Sequence, residues 1–109
     1  MSERKSLNKV ISVIIPTYNS ENTIIKSINS VLKQKINNFI EIIIIDDNSV
    51  DKTVKKIKGI RKKNNFEIKI IKNKINKGSG YCRRIGIKNA KGFYLAFLDS
   101  DDYWLNNKL

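Results

Sequence analysis

The chain has 109 residues, 40% of them hydrophobic, and a formal net charge of +12 at pH 7. That bounds it to a single domain with enough Ile and Val for a packed core, and no run approaches the ~18 apolar residues that cross a bilayer. A lone cysteine, Cys82, and the absence of histidine exclude a disulfide framework and the usual Cys/His zinc sites, and fit a reducing cytoplasm.

Residues 1–9, MSERKSLNK, read as a polar tail without the apolar stretch of a secretory signal. Residues 10–15 are a buried strand that Pro16 is expected to stop. Asn19 or Ser20 is placed to cap a helix whose Ile24, Ile25, Ile28, Val31 and Leu32 share one face. A second strand covers 40–45. Ser49 is the expected cap of a second helix carrying Val50, Val54, Ile57 and Ile60. Residues 67–71 form a third, weaker strand. Gly78 and Gly80 open a third helix that runs to about Ala90 and is closed by Gly92. Residues 93–98 are the fourth strand. Neither repeats nor a second domain boundary interrupt this order.

Continuous apolar strands alternating with helices predict an α/β fold, a parallel sheet covered on both faces. Ligands of such sheets bind beyond the carboxyl ends of the strands, where the strand order reverses. Three polar segments follow strand ends: PTYN (16–19), DDNS (46–49) and DSDD (99–102). In a doubly wound order 3-2-1-4, strands one and four are neighbours at the reversal. Thr17, Tyr18, Asp47 and the cluster at Asp99 are therefore predicted on one rim.

All six aspartates lie within 46–51 and 99–102. Carboxylates about 4 Å apart repel by roughly 1–4 kcal/mol per pair, so such a rim calls for a cation. Asp99, Asp101 and Asp102 offer hard oxygen ligands suited to Mg²⁺ or Mn²⁺, which also bridge to phosphates. The plainer reading of Asp99–Asp102 is an acidic turn, and that of Asp46–Asp47 a helix cap, a role that suits Asp51 better. As a strand-end carboxylate spent on ligand, Asp47 is expected to support binding rather than stability.

From Gly78, the pattern G-x-G-x-x-G fails at Arg83, and no G-x-x-x-x-G-K-[ST] loop exists, which argues against nicotinamide cofactors and P-loop hydrolysis. Arg83 is placed to grip a diphosphate. Arg84 reads as a solvated charge, because Cys82 and Ile85 must face the core. Tyr18 has two readings, stacking on a base or packing beside Pro16; Trp104 reads as a core anchor. Lys52, Lys55, Lys56, Lys58, Arg61, Lys62 and Lys63 either meet anionic lipid or nucleic acid, or form a solvated face. The stretch lacks the interleaved aromatics of single-strand binders.

Four stretches, SVIIPTYN (12–19), IIIDDNSVDKT (43–53), NKGSGYCRRIGIKNAKG (76–92) and YLAFLDSDD (94–102), together resemble the N-terminal half of a family 2, inverting, GT-A-type glycosyltransferase. The resemblance implies a Rossmann-like parallel sheet covered by helices, and transfer of a sugar from a nucleoside-diphosphate sugar, a UDP-sugar favoured, to a saccharide or lipid-linked acceptor. Cell-surface polysaccharide or lipopolysaccharide synthesis is the implied setting. By the family's pattern, Pro16, Thr17, Tyr18 and Asp47 form the nucleoside pocket, with Asp47 reaching the base, and Arg83 lies near the diphosphate. Asp99 and Asp101 match the D-x-D pair, with Asp101 or Asp102 the ligand of Mn²⁺ or Mg²⁺ and its neighbour touching ribose. Where the family commonly has Arg-Asn, this chain has Arg83-Arg84.

In the family the acceptor half and the general base follow the D-x-D region. The base is therefore expected beyond Leu109, with 10–109 the nucleotide-sugar-binding part of an excised or truncated domain, inactive alone. Cytoplasmic placement at the inner face of an anionic membrane is expected, and so is self-association through apolar surface around Tyr103, Trp104 and Leu105. Two alternatives stand: a nucleotide-binding module without catalysis, and a basic nucleic-acid-binding domain, for which acid on the rim has no use.

Overall fold

A strand carrying four apolar residues in a row, as at 13–16 and 42–45, must be covered on both faces, and two such strands side by side build the centre of this molecule. The computed structural model describes residues 10–61, 63–106 and 108–109. In chain order the elements are β1 (Ile11–Thr17), α1 (Ile24–Leu32), β2 (Ile40–Asp46), α2 (Thr53–Lys58), β3 (Phe66–Lys72), α3 (Ser79–Asn89) and β4 (Tyr94–Phe97). The tail 1–9 and Lys62 lie outside the described residues. All four strands are parallel, in the order β3-β2-β1-β4, as the alternation predicted.

Every residue of β1 and β2 is buried. On one face Val13, Ile15, Ile42 and Ile44 pack with Ile24, Ile28 and Val31 of α1 and Ile57 of α2. On the other, Ile14, Ile43 and Ile45 pack with Cys82 of α3. Each fully buried isoleucine contributes about 1.5–3 kcal/mol, so this double layer is the anchor to which the rim is attached.

The sheet departs from expectation at Pro16. Instead of stopping the strand, it pairs with Ile45 inside β1. The Ile14 carbonyl points toward β4, accepting the Leu98 N–H, and residues of one parity point the same way. The donor that proline lacks is thus directed past the last residue of β4, where no ladder bond is lost. Cover is also incomplete at the β4 edge. Tyr94, Leu95 and Phe97 keep 50%, 44% and 45% of their surface exposed.

None of the three helices is closed by a side-chain cap. Thr23, not Asn19 or Ser20, sits at the N-cap of α1, and Ser20 accepts the Thr23 and Ile24 amides with its carbonyl. The second helix begins at Thr53 rather than after Ser49, which leaves Val50 exposed. Gly92 does not close α3, whose C-cap is the extended Ala90. Glycine is needed there for close approach: a Cβ would lie 2.7 Å from the Ser12 nitrogen and 2.8 Å from the Val10 carbonyl oxygen.

Glu41, buried at the start of β2, was not anticipated. Its carboxylate accepts from the Ser12 hydroxyl, the Lys91 amide and the Lys69 ammonium at 3.1 Å. Burial acts to raise its pKa, but these donors outweigh it and hold the carboxyl below its ordinary value. The network fastens the α3–β4 connection to the core strands.

Candidate functional site

β1 and β2 run parallel and end level, so their following loops meet on one rim. Bonds between the loops fix that rim. The Asp47 amide donates to the Thr17 carbonyl at 2.8 Å, the Asn19 amide to Ser49 Oγ at 2.9 Å, and the Val50 amide to Asn19 Oδ1 at 2.9 Å. Asn19 and Asn48 adopt φ of 45° and 70°, left-handed values that asparagine tolerates better than most residues. Asn19 and Ser49, expected as helix caps, are staples between loops instead.

Above the rim lies an open cleft of about 600 Å³, lined by Pro16, Thr17, Tyr18, Asp47, Arg83, Asp99 and Asp101. These are the seven residues the sequence nominated for a nucleotide sugar. Asn19, Ser20, Asn22, Thr23, Ser79, Cys82 and Ser100 complete the lining. Asp102 faces elsewhere, into an adjoining hollow of about 560 Å³ shared with Tyr103 and Trp104. The ring of Tyr18 is 47% exposed against the cleft, the disposition a stacking surface requires. Trp104, half-buried, packs against the core as expected.

The two aspartates closing β2 are spent differently. Asp46 is fully buried and accepts from the Ser49 amide at 2.9 Å and its hydroxyl at 2.6 Å. Asp47 accepts from Asn73 Nδ2 at 2.8 Å, the Lys77 amide at 2.8 Å and the Gly78 amide at 2.9 Å. Burial would raise the Asp47 pKa, but these bonds overcome it and keep the carboxyl below its usual value. Gly78 supports the arrangement with φ of 90°, which favours glycine. Asp47 therefore orients the lead-in to α3 as well as facing the cleft, a structural duty its strand-end position did not reveal. Beside it, the Cys82 thiol is pushed up to about 11, by burial and then by the Asp47 charge, so it is inert as a nucleophile. Asp51 accepts from the Thr53 amide at 3.0 Å at the start of α2, the capping-type role expected of it.

On α3, Cys82 is buried, Ile85 packs on the core and Arg84 is exposed, leaving Arg83 on the cleft side. Arg83 reaches Asp99 Oδ1 at 3.3 Å and Ser79 Oγ at 3.4 Å. With 41% and 61% of their side chains exposed, the Arg83–Asp99 pair contributes at most about 1 kcal/mol and is readily exchanged for a ligand anion. Among the described residues, no three acidic, histidine or cysteine side chains converge into a protein-only cage. Asp99 and Asp101 face the cleft as a carboxylate pair, which matches a cation held by one or two carboxylates plus substrate phosphate.

The family model for Glycosyl transferase family 2 matches residues 12–109. Over 100 residues the chain is 43% identical to the UDP-Glc:alpha-D-GlcNAc-diphosphoundecaprenol beta-1,3-glucosyltransferase WfgD of Escherichia coli, covering 92% of this chain and 38% of that protein. Over 93 residues it is 38% identical to the poly(ribitol-phosphate) beta-N-acetylglucosaminyltransferase TarS of Staphylococcus aureus, covering 84% of this chain and 16% of TarS. The structure of S. aureus TarS 1-349 in complex with UDP-GlcNAc superposes with a TM-score of 0.78 at 38% identity, over 85% of this chain and 27% of that one. The mannosyltransferase PcManGT of Pyrobaculum calidifontis, in complex with GDP-Man and Mn²⁺, shares the fold at TM-score 0.76 and 19% identity, over 86% of this chain and 28% of its own. The chain thus spans well under half the length of these relatives.

Proposed function

The chain belongs to glycosyl transferase family 2, and we propose that it is the donor-binding part of an inverting transferase that takes a sugar from a UDP-sugar to a saccharide or lipid-linked acceptor in cell-surface polysaccharide synthesis. The observation that carries this reading is the meeting of Tyr18, Asp47, Arg83, Asp99 and Asp101 in one cleft at the strand-order reversal. Binding of UDP-GlcNAc by TarS and the diphosphoundecaprenol-linked acceptor in the name of WfgD support it.

In this reading Pro16, Thr17 and Tyr18 hold the nucleoside and Asp47 reaches the base from the floor of the cleft. Arg83 trades its exposed contact with Asp99 for the diphosphate. Asp101 and Asp102 are the residues that would hold Mn²⁺ or Mg²⁺, and Asp99 would touch ribose. Such a cation supplies charge neutralisation for the leaving diphosphate. In this reading the 109 residues alone bind donor without transferring it, the general base that deprotonates the acceptor being one that the family's pattern sets after the D-x-D region.

Calorimetry with UDP, in Mn²⁺ and in EDTA, tests the reading. Binding in Mn²⁺ only is expected. Equal binding in both removes the metal role of Asp101 and Asp102, and binding in neither removes the nucleotide reading.

The exposed Lys52, Lys55, Lys56, Lys58, Arg61 and Lys63 support a peripheral contact with the anionic inner face of a membrane on the cytoplasmic side. Cosedimentation with phosphatidylglycerol vesicles, and not with phosphatidylcholine, is the expected outcome. The exposed Tyr103 and Leu105, continuous with the bare β4 edge, support self-association of the isolated chain, measurable by sedimentation equilibrium.

A further inference from the structure

Ser20, Thr23, Ser27, Ser30 and Gln34 follow one another at three- and four-residue spacing and so form one stripe along α1 and its flanks. Buried polar groups need partners. Besides local bonds to the carbonyls of Tyr18, Ser20, Ser27 and Ser30, the partners of this stripe lie in one distant segment, residues 100–109, which carries the acidic turn. Thr23 Oγ1 donates to the Ser100 carbonyl at 2.9 Å. Ser27 Oγ lies 2.9 Å from that same carbonyl and also contacts the Asp102 carbonyl. Ser20 Oγ and Ser100 Oγ are 2.7 Å apart. Further along, Ser30 Oγ accepts the Trp104 amide at 3.0 Å, and Gln34 donates to the Leu105 carbonyl at 3.0 Å.

The bonds are chemically selective. In the turn Thr23 and Ser27 engage only main-chain carbonyls and leave its carboxylates untouched: Asp99 meets Arg83 and Asp102 accepts the Tyr103 amide. Among the described residues Asp101 has no hydrogen-bond partner, and it faces the cleft. β4 itself is tied to β1 over four residue pairs ending at Phe97, and the ladder continues the attachment where the sheet stops.

We propose that Thr23 and Ser27 are positioning residues for donor binding. Their hydroxyls clamp the backbone of the Asp99–Ser100–Asp101–Asp102 turn and thereby aim the carboxylates of Asp99 and Asp101 into the nucleotide cleft. Ser30 and Gln34 fasten the chain beyond the turn and have no part in aiming it. The proposal deepens the donor-binding reading and rests on it.

The test compares Thr23→Val/Ser27→Ala, Thr23→Ser and Ser30→Ala in the 109-residue chain. Two readouts are taken: UDP affinity in Mn²⁺ and in EDTA, and amide hydrogen exchange. Losing the two turn-directed hydroxyls should cost roughly tenfold in Mn²⁺-dependent UDP affinity and speed exchange at 99–103 while leaving β1 and β2 unchanged. Thr23→Ser, which keeps the hydroxyl, should bind as the parent does. Ser30→Ala should speed exchange near Trp104 with affinity within about twofold. Parent-like affinity in the double variant, or an equal loss in Ser30→Ala, overturns the proposal. If the double variant fails to fold, Thr23→Val at its half-buried site carries the same two readouts. If the parent binds no UDP, the donor-binding reading fails on its own, and the clamp is then judged by exchange: unchanged rates at 99–103 overturn it, faster rates support it.

Discussion

β2 and β4 end alike, each an apolar strand delivering aspartates to the same rim, yet the two acidic ends have opposite fates. At β2, Asp46 is fully buried and Asp47 retains 7% exposure, and every carboxylate oxygen between them is bonded. At β4, the Asp99 side chain is 61% exposed with one long contact to Arg83, and Asp101 and Asp102 are exposed. The cause is position in the sheet. β2 has a strand on each side, and the loops after β1 and β3 close over its end. Among the described residues β4 pairs only with β1, and α1 holds the turn after it by its main chain, which leaves the carboxylates of that turn exposed. An acidic strand end in an inner strand builds the rim; at an edge strand it stays available to ligand.

The largest expected effect that tests this contrast is Asp46→Ala. It leaves the Ser49 amide without its charged acceptor in a fully buried site, a loss of about 3 kcal/mol or on the order of 15 °C in Tm, read by thermal and urea unfolding. A loss under about 1 kcal/mol would erase the distinction between the two ends. Asp47→Ala should cost about 2 kcal/mol and also weaken UDP binding, because the same carboxylate holds the Lys77 and Gly78 amides. Full stability with weak binding would return Asp47 to a purely ligand-directed role.

The pH dependence follows from the same buried end. Asp47 and Glu41 have folded pKa values below their ordinary ones. Their stabilisation is therefore complete above the unfolded values near 4 and is lost as pH falls through the folded ones. Cys82 goes the other way: its thiol ionises at 9.0 when unfolded and at about 11 when folded. Stability should decline as pH rises from 9 toward 11, and Cys82→Ala should remove that slope in alkaline unfolding curves.

At the β4 end, stability effects should shrink and ligand effects dominate. Asp101→Ala is expected to change stability by less than about 0.5 kcal/mol while abolishing the Mn²⁺-dependent part of UDP binding. A Tm drop comparable to that of Asp46→Ala would place Asp101 with the structural end instead. Asp99→Asn acts on another exposed carboxylate of this end. It breaks an exposed ion pair with Arg83 and should cost under about 1 kcal/mol in urea unfolding.

Much of the architecture was legible locally. Runs such as residues 10–15, broken only by Ser12, and 42–45 demand two-sided burial, and parallel strands with helical crossovers restrict the order to few choices. That order places Thr17, Tyr18, Asp47 and the cluster at Asp99 on one rim; the family resemblance adds Pro16 and Arg83, and these residues, Asp102 excepted, share one cleft. What the chain did not reveal by itself is which polar group meets which. Asn19 and Ser49 carry good capping chemistry but bond to each other's loops across thirty residues. Pro16 reads as a strand stop unless it is known that β4 has already ended beside it. Ser20, Thr23, Ser27, Ser30 and Gln34 have a visible helical period, but their partners lie 71 to 80 residues away. Apolar burial is non-directional and encoded by pattern, so sequence determines where the core lies. Hydrogen bonds are short and directional, so only the assembled tertiary structure decides which carboxylates are consumed by the protein and which remain for a ligand.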